Sequence, residues 1–139
     1  MTLRVLFDTN VVLDVLLARS PWLEDAAALW RAIDESRLVA CLPASTLTDI
    51  YYVARKLTDR ERARKAVVVC LETFEIAPVD RLVLAAAQAL EGADYEDDVQ
   101  IACGQAVRVE AIVTRDLSGF VGSPLPVYTP SQLRAMLNA

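Results

Sequence analysis

Short apolar runs alternate along this chain with stretches whose hydrophobic residues recur at three- and four-residue intervals. Leu3-Arg4-Val5-Leu6-Phe7 is apolar and β-branched enough for a buried strand. It passes at once into Asp8-Thr9-Asn10, where Thr9 or Asn10 can cap a helix with Val11, Val12, Val15 and Leu16 on one face. Ser20-Pro21 places a proline at the first position of a second helix, Trp22 to Glu35. Leu38 to Leu42 reads as another strand, closed by Pro43, and Ser45 then caps a helix carrying Leu47, Ile50, Tyr51 and Ala54. Thr58 or Asp59 opens the next helix, and Phe74-Glu75-Ile76 is a short strand ending before Pro78. Leu82, Val83, Ala86, Ala87 and Leu90 form an amphipathic helix that Gly92 stops. Asp94 begins a helix to about Val107, Ala111 to Thr114 is a strand, and Leu125 to Tyr128 suits a sheet edge. Thr129-Pro130 starts a closing helix.

Strands separated by helical stretches predict an α/β fold with a mostly parallel sheet. At 139 residues the chain is read as one domain, 1–139, with no internal repeat or linker. Hydrophobic residues make up 55%, which excludes a disordered chain, yet no run is long enough for a membrane span. A secretory leader is not apparent, so the expected location is the cytoplasm. The three cysteines, Cys41, Cys70 and Cys103, lack metal or redox spacing and read as buried hydrophobes in a reducing compartment.

The chain has no histidine, which removes Ser-His-Asp triads, Cys-His nucleophile pairs and imidazole zinc sites. Its net charge of −5, from 19 acids against 14 bases, argues against a passive nucleic-acid coat. Carboxylates remain as the chemistry-bearing groups. In open parallel sheets, sites form beyond the carboxyl ends of the strands. Asp8 directly follows the first strand, Asp116 follows the Ala111–Thr114 strand, and Asp49 lies one turn into a post-strand helix. The Asp94-Tyr95-Glu96-Asp97-Asp98 run opens another helix, and periodicity does not choose between Asp97 and Asp98. Each acid also has a structural alternative: a turn or cap for Asp8 and Asp116, an exposed flank for Asp49, a capping box for Asp97.

Several carboxylates at close quarters repel unless a cation compensates. A hard divalent cation such as Mg²⁺ among oxygen ligands suits phosphodiester hydrolysis and offsets the repulsion of a polyanionic substrate. Arg55, Lys56, Arg60, Arg62, Arg64 and Lys65 hold six of the 14 bases. They read either as phosphate contacts or as a solvated surface paired with Asp59 and Glu61.

Phe7-Asp8-Thr9-Asn10, Thr46-Leu47-Thr48-Asp49-Ile50-Tyr51-Tyr52, Asp94-Tyr95-Glu96-Asp97 and Ile112-Val113-Thr114-Arg115-Asp116 occur in the order seen in PIN-domain nucleases. The chain resembles that family over nearly its whole length, through Thr129-Pro130-Ser131. The resemblance implies a three-layer α/β/α fold and a Mg²⁺- or Mn²⁺-dependent ribonuclease. It also implies kinship with VapC-like toxins, hence an RNA substrate, a cognate antitoxin and a homodimer. Trp22 and Trp30 fit either the core or a groove receiving an antitoxin segment. By this likeness Asp8, Asp97 and Asp116 are metal ligands, with Asp98 the alternative to Asp97. Asp49 stands where the family usually has Glu, and so acts directly or through water. Asn10 and Thr114 match polar residues that orient the first acid, and Arg115, Arg55 and Lys56 are candidate RNA contacts.

Two other readings stand beside it. A PIN-like scaffold weak in catalysis would bind protein or RNA only. A phosphatase using Asp8 as nucleophile would look for a second acid where Asn10 stands.

Overall fold

The computed structural model describes residues 2–138. The elements run β1 (Leu3–Phe7), α1 (Thr9–Leu16), α2 (Leu23–Asp34), β2 (Leu38–Pro43), α3 (Ala44–Leu57), α4 (Arg60–Thr73) and β3 (Glu75–Ala77). There follow α5 (Arg81–Leu90), α6 (Tyr95–Ala106), β4 (Ala111–Val113), a 3-10 turn (Leu117–Phe120), β5 (Val127–Tyr128) and α7 (Pro130–Leu137). The five strands form one sheet in the order β3-β2-β1-β4-β5, and every pairing is parallel.

The apolar strands are explained by burial on both faces. Val5 and Phe7 point into one core with Val11, Leu29, Ile50, Ala63 and Leu133, which places α1, α2, α3, α4 and α7 on that side. Leu6 and Ile112 point into the other, with Val83, Ala87, Val99 and Ala102 of α5 and α6. The result is an α/β/α sandwich. Trp30 meets Phe74 edge-on at 5.0 Å between ring centroids and so belongs to the first core. All three cysteines are buried and unpaired. Among the described residues no helix is long and apolar enough to cross a membrane.

Several helix starts differ in detail from the sequence expectation. Asp59, Asp94 and Thr129 do cap α4, α6 and α7, the last with a full capping box to Gln132. Thr9 and Asn10, however, lie inside α1, and Asp8 at the cap position gives no side-chain bond to the helix. Ser45 likewise sits in the first turn of α3, where its carbonyl accepts from the Thr48 hydroxyl. Pro21 precedes α2 instead of opening it, since that helix starts at Leu23. At the end of α5 the left-handed residue is Glu91, with φ 51°, and not Gly92. Gly92 serves a different contact: its N–H donates to Asp98 Oδ2 at 2.9 Å, and a Cβ there would collide with that carboxylate.

The chain leaves β1 toward β2 on one side, while β4 and β5 lie on the other. The carboxyl ends of β1 and β4 therefore flank the point where strand order reverses, the usual place for a ligand crevice in such sheets. Phe7 is in register with Val113, and the Asp8 N–H donates to the Val113 carbonyl at 2.9 Å.

Candidate active site

Because Asp8 and Thr114 are the first residues past two adjacent strands, their side chains meet. The Thr114 hydroxyl, fully buried, donates to Asp8 Oδ2 at 2.8 Å and accepts from the Asp116 N–H at 3.1 Å. Gln100 Nε2, from α6, donates to Asp8 Oδ1 at 2.9 Å. Both oxygens of Asp8 are thus held, which accounts for its silence as a helix cap. A carboxylate oxygen has more than one lone-pair site, so each can still face a ligand.

Asp8 lies in a cleft of about 420 Å³ together with Asn10, Asp49, Glu96, Asp97 and Asp116, above a floor that includes Leu13, Val53 and Phe120. Its acids arrive from β1, α3, α6 and the loop after β4. Asp97 projects against Gly119, where a Cβ would stand 2.7 Å from Asp97 Oδ2, so only glycine leaves that carboxylate its place. Asp116 lines the cleft while Oδ1 accepts from the Ser118 N–H at 3.1 Å and from the Ser118 hydroxyl. The turn alternative for Asp116 and its place in the cleft therefore coexist. Asp98 faces elsewhere, buried against Gly92.

Burial, then the neighbouring charges of Asp94, Asp8, Glu96 and Asp116, push the Asp97 carboxyl up to about 6. Burial also raises Asp49, and burial followed by Asp49, Asp94 and Asp8 raises Glu96. A folded-state value above the ordinary one means that the folded chain binds more protons than the unfolded chain between the two values. Stability of the protein in chelator is therefore expected to rise as pH falls from 7 to about 4, most steeply midway between the ordinary and the raised value. Thermal melts should show a gain on the order of 1 kcal/mol after solvent screening, reduced in Asp97→Asn. A melting temperature that falls over that range would contradict the assignment.

The acids fit a hard divalent cation in chemistry: all-oxygen donors, an uncompensated negative field, and a glycine cradle for one carboxylate. Among the described residues no group of three or more acid or cysteine side chains is already arranged to hold an ion. Ser118 engages Asp116 at Oδ1, and a carboxylate has a second oxygen to offer a ligand.

The expected bases are arranged differently. Arg115 does not line the cleft. Its guanidinium carbon lies 3.7 Å from the Trp22 ring centroid, and Nε is 3.1 Å from Asp14 Oδ2. The other oxygen of Asp14 accepts from Arg19 Nε at 2.9 Å, and Arg19 reaches on to Asn10 Oδ1 at 3.3 Å. Arg55 and Lys56 are exposed on the last turn of α3 and outside the cleft. Asn10 lines the cleft and Thr114 holds Asp8, as described. Glu96 and Gln100 also line the cleft and were not singled out as site residues from the sequence. Gln100 stands three residues after Asp97 and four after Glu96 on one helix, and that spacing was the available signal.

Residues 4–118 match the family described as PIN domain. Among solved structures, DNA-bound VapBC from Salmonella typhimurium is similar at 19% identity and TM-score 0.69, over 93% of this chain and 99% of that one. A toxin–antitoxin complex from Klebsiella pneumoniae is similar at 26% identity and TM-score 0.68, over 91% and 97% of the two chains. VapC20 from Mycobacterium tuberculosis, a Sarcin-Ricin loop cleaving toxin, is similar at 12% identity and TM-score 0.66, over 81% and 90%. No curated protein matches this chain. The matched segment runs from β1 into the 3-10 turn after Asp116, and so takes in every acid of the cleft. This chain belongs to the PIN domain family.

Proposed function

We propose that this protein is a divalent-cation-dependent endoribonuclease, the toxin of a toxin–antitoxin pair, with a cognate antitoxin and a second copy of itself as protein partners. The observation that carries the reading is the gathering of acids from four separate segments around Asp8, held at both oxygens. Similarity to a toxin–antitoxin complex and to a Sarcin-Ricin loop cleaving toxin supports the substrate and the partners. Its place of action is the cytoplasm, where three unpaired buried cysteines stay reduced.

Asp8, Asp97 and Asp116 would hold Mg²⁺ or Mn²⁺, and Asp49, one methylene shorter than Glu, would reach it through water. Such an ion, when bound, supplies a Lewis acid for phosphate oxygens and an acidified water. The Thr114 hydroxyl and the Gln100 amide keep the Asp8 oxygens in place for that role. Arg19 steadies Asn10 at the rim. Arg55 and Lys56 on the exposed end of α3 meet phosphates away from the cleft, and Arg115, held by Asp14 and Trp22, anchors the start of the loop that carries Asp116.

The test is cleavage of a varied RNA pool by purified protein supplied with Mn²⁺. Cleavage that stops on adding chelator and returns with excess Mn²⁺ is the expected result. Tight RNA or protein binding with no cleavage at any Mn²⁺ concentration would favour a non-catalytic scaffold.

A further inference from the structure

We propose that Gln100 is a positioning residue that sets the Asp8 carboxylate for cation binding. The proposal rests on the reading of the cleft as a divalent-cation site. Gln100 is only 4% exposed and sits on α6, the helix that also brings Asp97 to the cleft. Its Nε2 donates to Asp8 Oδ1 at 2.9 Å, opposite the 2.8 Å bond from Thr114 to Oδ2. Two donors from different elements, one at each oxygen, stop the carboxylate from turning about its own axis. With Thr114 alone, Oδ1 would be free to swing.

The amide carbonyl supplies the second observation. Gln100 Oε1 is buried and has no hydrogen-bond partner among the described residues. Leaving a buried acceptor unpaired lowers stability, so a residue needed only to fill this space would be better as methionine or leucine. Reversing the amide would set Oε1 against the negative Asp8 oxygen, so the nitrogen must face the acid. Glutamate would place a second buried charge on Asp8. Glutamine is the side chain of this length that gives Asp8 a neutral N–H, and the unpaired carbonyl is its consequence. Departures of this kind from full polar satisfaction concentrate at functional sites.

The experiment is isothermal calorimetry of Mn²⁺ binding by the full chain and by Gln100→Met, with melting temperatures in chelator for both. Methionine keeps the length, removes the donor and removes the unpaired carbonyl together. The expected result is a Kd weakened roughly ten-fold or more, as for removal of other groups that orient metal ligands, with melting temperature unchanged or raised. Gln100→Leu repeats the measurement should methionine pack badly. Parental Kd values in well-folded variants would overturn the proposal alone and show that Gln100 merely packs. A parent chain that binds no Mn²⁺ would overturn the cation reading, and this proposal with it.

Discussion

Asp8→Asn is expected to lower RNA cleavage by more than about 100-fold while leaving the fold intact, since a ligand should matter more than the groups that orient it. Asparagine has the same shape, and its carbonyl can accept from Gln100 Nε2 as Asp8 Oδ1 does. Its amide can donate to the Thr114 oxygen, whose hydroxyl now donates to Asp8 Oδ2. The geometry around β1 and β4 therefore survives and only the charge goes. That charge also raises Asp97, so in chelator the variant should melt no lower than the parent. Steady-state cleavage of a fluorescent RNA and a melting curve read both quantities. Cleavage within ten-fold of the parent would remove Asp8 from the chemistry.

Asp14→Ala should produce the largest loss of stability. Asp14 is fully buried, and its two oxygens face Arg19 at 2.9 Å and Arg115 at 3.1 Å. Burial pushes its carboxyl upward against the pull of Arg115 and then Arg19. Alanine leaves two guanidinium groups without a counter-charge, one of them also packed on Trp22. Breaking a buried pair in this way costs about 3 kcal/mol, or about 10 °C in Tm, at the low end because both arginines retain some solvent. Cleavage should fall as well, because Arg19 supports Asn10 and Arg115 precedes Asp116. A melting temperature within about 2 °C of the parent would mean that water replaces the carboxylate without penalty.

The sheet was legible because β1, β2 and β4 are apolar on both faces, which only strands covered by helices on either side require. The convergence of Asp8 with Asp116 followed once their strands were taken as neighbours, and β1 does pair with β4. Helix starts were legible where the capping side chain had no rival partner, at Asp59, Asp94 and Thr129. At Asp8 the carboxylate is captured by Thr114 and Gln100, and local capping rules have no view of such distant donors. The 3-10 turn after Asp116 is too short to show a period. Nothing local in the sequence marks Asp14 on α1, because one of its partners, Arg115, lies in the loop after β4, distant along the chain. Helix α6 is buried around most of its circumference, so its periodicity could not separate Asp97 from Asp98 or mark Gln100. Those distinctions needed Gly92 and Gly119, whose missing side chains make room for the two carboxylates.

The most direct measurement is an anomalous difference map from a crystal soaked in Mn²⁺. The predicted result is a peak inside the cleft within coordination distance of Asp8, Asp97 and Asp116. A cleft without manganese at saturating concentration would contradict the account.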